Sequence, residues 1–158
     1  LQSFAAYDLG PLTLAALRRL INQAQQPHAV TIDDRQVDAI WHASGGHPFL
    51  AQYLCRRLFV AGKGVLRPVQ EDELRIDIFL ADYFDAHFNA LDLVERIVLQ
   101  TVFQHAPVDE TRLWQKLAPF PAGRWHLSVL CARGYLRKAD DGYSVNGQLW
   151  RQWLAIRR

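Results

Sequence analysis

The sequence of 158 residues contains no methionine, even at position 1, and this absence predicts a fragment of a longer protein. It contains only two cysteines, Cys55 and Cys131, without the CxxC spacing of a zinc or redox motif. Both fall on apolar helical faces, which predicts buried free thiols. No apolar run approaches the ~20 residues of a membrane span, and no charged-then-apolar leader opens the chain. We therefore predict a cytoplasmic protein that does not contact a membrane.

Catalytic motifs are also missing from the sequence. It has no GxxxxGK[ST] phosphate loop, no GxGxxG, no HExxH and no GxSxG. The histidines lack the close spacing of a metal site, and His42 and His47, five apart across a loop, are expected to cap or pack. The full set is His28, His42, His47, His87, His105 and His126. We predict no catalytic residue, no metal site and no cofactor within this chain.

Charge is distributed unevenly along the chain, although the formal net charge is only +2. Residues 71–109 contain nine acidic and two basic side chains, whereas residues 110–158 contain nine basic and three acidic ones. A nucleic-acid contact, if the protein makes one, is therefore predicted in the last third.

The first 70 residues have the periodicity of three helices. Thr13 is the predicted N-cap of "LAALRRLINQAQ", which should end near Gln26, and a second helix should begin near Asp33 or Asp34. A third should run to about Ala61, where "GKG" breaks it. The stretch "GVLRPVQEDEL" then reads as a connection, so we predict one unit over 1–70 and a boundary between residues 62 and 77.

The second and third helices are joined by a short elbow, "SGGHPFLAQYL". Gly45 or Gly46 can take the left-handed conformation that closes a helix. Pro48 suits the first turn of the next helix, where its missing N–H is not needed. That helix start also presents free N–H groups and a positive dipole end, which suits a nucleotide phosphate.

Residues 71–158 have a different pattern, which predicts a winged helix. A first helix is expected with Leu74, Ile78, Phe79, Phe84 and Phe88 on one stripe. "LDLVERIVLQTVFQ", "DETRLWQKLA" and "GRWHLSVLCARGYL" then predict three helices, followed by a hairpin across Asp141-Gly142. "QLWRQWLAIRR" predicts a final helix that buries Leu149, Trp150, Trp153 and Leu154. The predicted fold is mainly α, a helical bundle followed by a winged-helix domain with a small β-hairpin.

Taken in order, "LGPLTLAALRRLI", "IWHASGGHPFLAQYLC", "LVERIVLQTV", "LCARGYL" and "DDGYSVNGQLWRQWL" resemble one segment of the STAND-type (AAA+-like) P-loop ATPases of bacteria and archaea. That segment follows the nucleotide-binding core and consists of a helical lid and a winged helix. The resemblance covers essentially the whole chain, and its most specific part is Gly-Gly-His-Pro-Phe-Leu.

The resemblance implies a non-catalytic regulatory role. It places Gly45, Gly46, His47 and Pro48 near a nucleotide in the parent protein. ATP or ADP with Mg²⁺ would be held mainly by an upstream P-loop core in the same chain, and sensor or effector domains would be fused to it for signal transduction. A related group senses phosphate through a Met-His-Asp motif, but this chain has Asn146 and Gly147 there, so that mode of sensing is not expected.

Other interpretations stay open. A winged helix could bind DNA, and the basic or polar residues that could contact it are Arg124, His126, Ser128, Arg133, Arg137 and Lys138. Against this, Trp125, Leu127 and Leu130 are expected to pack, and the hairpin tip "ADDG" is acidic. The chain could also be a protein-interaction scaffold, and the elbow could be purely structural.

Overall fold

The computed structural model describes residues 10–25, 32–60, 63–120 and 122–157. The first three helices are α1 (Leu14–Gln25), α2 (Asp34–Ser44) and α3 (Pro48–Leu58). The Thr13 hydroxyl accepts a hydrogen bond from the N–H of Ala16 at 3.1 Å, and Asp33 forms a reciprocal capping box with Gln36. Local capping therefore sets both helix starts where the sequence predicts them.

The third helix is shorter than predicted. α3 ends at Leu58, and the chain continues into a small antiparallel hairpin of β1 (Phe59–Val60) and β2 (Val65–Leu66). The predicted end near Ala61 is therefore wrong. Phe59 and Val60 continue an apolar run that is compatible with a helix or a strand. The antiparallel pairing of Phe59 with Leu66 stabilises the strand.

The acidic connection forms a short 3-10 helix (Glu71–Leu74) before α4 (Ile78–Ala90), which Asp77 caps. The predicted stripe is partly wrong, because Leu74 lies outside α4, and Ile78 and Phe79 are 82% and 54% exposed. Leu80 is buried in their place, together with the predicted Phe84 and Phe88.

The remaining elements follow the predicted order: α5 (Leu93–His105), α6 (Glu110–Leu117), α7 (Gly123–Ala132), β3 (Leu136–Ala139), β4 (Gly142–Val145) and α8 (Gln148–Ile156). β3 and β4 pair antiparallel, and Val108 adds a bridge to Tyr143 on the other edge of β4. Three helices and a hairpin in this order form a winged helix, so the predicted fold class is confirmed.

The last helix packs against helices from both predicted units. Leu149, Trp150, Trp153 and Leu154 are buried as predicted, and Trp150 lies 4.6 Å from Phe84 of α4 between ring centroids. α8 also contacts α2. The division into units 1–70 and 71–158 stays a prediction, and these contacts join the two predicted units.

Both cysteines are free and half-buried, which agrees with the predicted free thiols. Burial raises the pKa of the Cys55 thiol to about 11 and also raises that of Cys131, so neither is a ready thiolate nucleophile. Within the described ranges, no helix is both long enough and apolar enough to cross a membrane.

Candidate functional site

The elbow has the backbone conformation that its sequence predicts. Gly45 ends α2 with φ 63°, Gly46 follows with φ 74°, and both are left-handed. Pro48 is the first residue of α3, and His47 precedes it without a side-chain capping hydrogen bond. The first N–H groups of α3 are therefore not capped by that side chain, and they form the positive end of its dipole.

The two glycines allow the elbow to approach other parts of this chain. A Cβ on Gly46 would lie 2.4 Å from the carbonyl oxygen of Leu12, and one on Gly45 would lie 2.9 Å from the side chain of Asn146. The N–H of Leu12 donates to the Gly46 carbonyl at 2.8 Å, and the indole of Trp41 donates to the Leu12 carbonyl at 2.8 Å. The close approach is therefore made to Leu12 and Asn146 of the same chain.

The four residues that the resemblance implicates differ in exposure. Gly45 and Gly46 are buried, whereas His47 and Pro48 are half-buried and reach the surface. Only His47 and Pro48 could present side chains to a ligand in this conformation.

Asn146 fastens the elbow to the winged helix. Its side-chain amide donates to the carbonyl of Gly45 at 2.7 Å and to the carbonyl of Gly134 at 3.0 Å. Its backbone N–H donates to the Tyr135 carbonyl at 2.9 Å. The bond to Gly45 is shielded from water, whereas the bond to Gly134 is partly buried. A single buried residue thus connects the elbow, the turn after α7 and the start of α8.

A cleft of about 280 Å³ opens beside the elbow, between α4 and the winged helix. His47 Nε2 lies 3.2 Å from the Tyr83 hydroxyl, and His87 Nδ1 lies 3.3 Å from the Tyr135 hydroxyl. The rest of its lining comprises Ala90, Leu91, Arg133, Gly134 and Trp150. The cleft therefore combines aromatic surface with neutral hydrogen-bonding groups and one cation.

Burial controls the charge of this cleft. It lowers the pKa of His47, which the neighbouring His87 lowers further, and it lowers the pKa of His87. Burial also raises the pKa of Tyr83, with Tyr135 adding to the effect. Both imidazoles and the phenol are therefore neutral near pH 7.

The lowered pKa values of His47 and His87 predict that the free energy of unfolding decreases on acidification. Both titrate near 6.5 when unfolded, but at lower pH in the folded chain. Between the two values the unfolded chain binds more protons, so stability is lost as pH falls below 6.5. Thermal melts from about pH 8 to about pH 5 measure this effect. His47→Gln with His87→Gln should flatten the decline, and His42→Gln, at an exposed position, should not. An unchanged decline in the double variant would contradict the assignment.

Four of the six predicted DNA-contact residues lie against other side chains of the fold. His126 is buried and lies against Asp92, and Arg133 contacts Glu95. Lys138 contacts Glu110, and Arg137 donates to the Ser144 hydroxyl. Carboxylates thus lie beside three of the six residues, and they neutralise Arg133 and Lys138 in part.

The other two residues lie together on the exposed side of α7. The Ser128 hydroxyl donates to the carbonyl of Arg124, whose guanidinium lies 4.8 Å from the Trp114 ring centroid. Trp125 beside them is 64% exposed, so the prediction that it packs is wrong, whereas Leu127 and Leu130 are buried as expected. Helical spacing cannot tell which edge of α7 is uncovered, because the covering element, α5, is distant in sequence.

No protein-family model and no curated protein matches this chain. Among solved structures it is similar to RuvB of Thermotoga maritima, a Holliday junction branch migration motor, at 20% identity and a TM-score of 0.34. A single-residue variant of that RuvB gives a TM-score of 0.36 at the same identity. Each likeness covers 91% of this chain and 49% of the RuvB chain, so this chain spans about half of that length. A likeness of this size carries no argument about activity.

Most residues of the cleft are not indicated by the sequence. Tyr83 and His87 are four residues apart on α4, and this spacing places them on one face of the helix. It is the one sequence pattern that indicates part of the cleft. Tyr135 and Trp150 come from a turn and a helix far along the chain, and no local pattern indicates that they meet α4.

Proposed function

We propose that this chain is the lid and winged-helix segment of a STAND-type P-loop ATPase. It performs no hydrolysis itself, and in the parent protein it helps to close a nucleotide site and relays the state of that site. The observation that carries the proposal is the bond from Asn146 to Gly45, because it ties the nucleotide-facing elbow to the winged helix. A displacement of the elbow is thereby transmitted directly to the winged helix.

The nucleotide would meet the elbow at the start of α3. Pro48 offers a flat apolar ring, and the N–H groups of the first turn lie at the positive end of the helix dipole. His47 lies beside it with a lowered pKa caused first by burial, so it acts as a neutral hydrogen-bonding group. ATP or ADP and Mg²⁺ would be held by the P-loop core, which is the principal partner in this proposal, together with fused sensor or effector domains.

The proposal predicts that Pro48→Ala weakens nucleotide binding by the complete parent protein. The substitution removes apolar surface beside the base, while the first turn of a helix tolerates either residue. Calorimetric titration with ADP and Mg²⁺ measures the affinity, and we expect a loss of roughly threefold to tenfold, as for one lost apolar contact. Thermal melts of the 158-residue chain should hardly change.

Pro68→Ala is the matched control, because Pro68 is exposed in the connection after β2 and far in sequence from the elbow. It should leave the affinity unchanged. Equal affinity of wild type, Pro48→Ala and Pro68→Ala would show that the elbow is structural only.

DNA binding is the second candidate, and the exposed Trp125 next to Arg124 is the observation that favours it. Aromatic and basic side chains together suit stacking and phosphate contact. A mobility shift with DNA that weakens as the salt concentration rises would favour DNA binding over the role as an ATPase segment. Arg124→Gln should reduce that shift.

A further inference from the structure

A cluster of three metal-ligating side chains lies at the start of α5, apart from the elbow. Asp92 caps α5, Glu95 is in its first turn, and His126 projects from α7. One ligand atom from each lies within 4.8 Å of the others. The spacing of the histidines alone predicted no metal site, whereas this cluster combines one histidine with two carboxylates of a helix distant in sequence.

The imidazole of His126 supplies an independent observation. Its side chain is 10% exposed, and its Nδ1 atom is shielded from solvent without a hydrogen-bond partner among the described residues. Nδ1 lies 3.4 Å from Asp92 Oδ2, so it is directed into the cluster. A buried polar nitrogen without a hydrogen-bond partner destabilises the fold, and a bound ligand would remove that cost.

We propose that Asp92, Glu95 and His126 bind a divalent cation of the zinc class. Zinc bonds of about 2.0–2.2 Å to nitrogen and oxygen in a tetrahedral arrangement place neighbouring ligand atoms roughly 3.3–3.6 Å apart. The separation of Nδ1 and Oδ2 is 3.4 Å. One imidazole with two carboxylates suits zinc, whereas Mg²⁺ and Ca²⁺ prefer oxygen ligands alone. Asp92 is half exposed, which gives the ion a route to the cluster.

The capping box at this position can persist when the ion binds. Asp92 Oδ1 accepts from the N–H of Glu95, and Glu95 Oε2 accepts from the N–H of Asp92. These bonds leave Asp92 Oδ2 for the ion, and each carboxylate oxygen has a second lone pair.

Arg133 balances the charge of Glu95 in the absence of the ion. Its guanidinium donates to Glu95 Oε1 at 3.2 Å, and Glu95 is buried. A bound cation would supply that positive charge instead, and the two cations would repel. On zinc binding, the zinc ion therefore replaces the Arg133 guanidinium as the positive charge beside Glu95. The proposed zinc site does not depend on the proposed nucleotide function.

The test is calorimetric titration of the 158-residue chain with zinc chloride, together with thermal melts. Asp92→Asn and Glu95→Gln keep the capping box, since asparagine is a good N-cap and glutamine already serves in the box of Asp33 and Gln36. Wild type should bind one zinc ion and melt at a higher temperature with zinc. Both variants should bind at least about tenfold more weakly.

Asp33→Asn is the matched control, because it makes the same change in the capping box of α2, which is outside the cluster. It should bind zinc as wild type does, and Arg133→Gln should bind more tightly. Three results would overturn the site: no saturable binding by wild type, wild-type affinity in both cluster variants, or an equal response to magnesium. Weaker binding by Arg133→Gln would overturn the exchange of cations.

Discussion

Replacing Asn146 with alanine is expected to destabilise this chain strongly. The substitution leaves the carbonyl oxygens of Gly45 and Gly134 without the amide that bonds them at 2.7 and 3.0 Å. The bond to Gly45 is buried, so water cannot easily replace that donor, whereas Gly134 is half-buried and borders the cleft. With ~1–3 kcal/mol for each unsatisfied buried group, we expect a loss on the order of 3 kcal/mol. Urea denaturation followed by circular dichroism measures it.

Asn146→Asp tests whether the stability depends on the amide donor of Asn146 or on the shape of its side chain. The two side chains have nearly the same size, but a carboxylate would face two carbonyl oxygens without a proton to donate. The fold should therefore raise the pKa of this aspartate, so its penalty is full at neutral pH and decreases as acid protonates it. The stability difference between Asn146→Asp and Asn146→Ala should shift in favour of Asp at low pH.

Asn89→Ala is the control for this pair of variants, because Asn89 is exposed near the end of α4. Its removal should change the unfolding free energy by less than about 0.5 kcal/mol. If Asn146→Ala were as mild as Asn89→Ala, the elbow and the winged helix would be joined by other contacts, and the role given to Asn146 would be wrong.

The connection through Asn146 bears on how the proposed ATPase segment works. In the group with a Met-His-Asp motif, the resemblance implies phosphate sensing from the position where this chain has Asn146 and Gly147. Here the side chain of Asn146 is occupied by the Gly45 and Gly134 carbonyls. We therefore expect the elbow and the winged helix to move together when the nucleotide changes.

Features set by local chemistry could be predicted from the sequence. Thr13, Asp33 and Asp92 cap helices through neighbours three residues away, so the start of each helix is encoded within one turn. The predicted hairpin is present, but the pairing of Ala139 with Gly142 places its two-residue turn at Asp140-Asp141, one residue before the predicted Asp141-Gly142.

Features set by distant partners could not be predicted. Gly45 and Asn146 are 101 residues apart in sequence, and no periodicity links them. The end of α3 depends on the pairing of Phe59 with Leu66, and the exposure of Trp125 depends on how α5 covers α7. The sequence therefore indicates the elbow as a motif, but it does not indicate the contacts of the elbow with Leu12 and Asn146.

The second large effect is expected for Gly46→Ala. Gly46 has φ 74°, where an alanine is strained by ~1–2 kcal/mol. A Cβ there would also lie 2.4 Å from the Leu12 carbonyl oxygen, a backbone atom that accepts from the Trp41 indole. Relief of the clash must displace Leu12 and loosen that bond, so the total loss should be on the order of 3 kcal/mol.

Gly64→Ala separates the two causes of this loss. Gly64 lies in the turn between β1 and β2 with φ 62°, so its substitution carries the strain of a positive φ without the elbow contacts. Denaturant unfolding should show Gly46→Ala to be the more destabilising by at least about 1 kcal/mol, the worth of one buried hydrogen bond. Equal losses at the two glycines would mean that Leu12 can move away at little energetic cost and that its contact with Gly46 does not stabilise the elbow. A larger loss at Gly46 would also explain why Pro48, and not Gly46, is the position at which nucleotide contact can be tested without unfolding the chain.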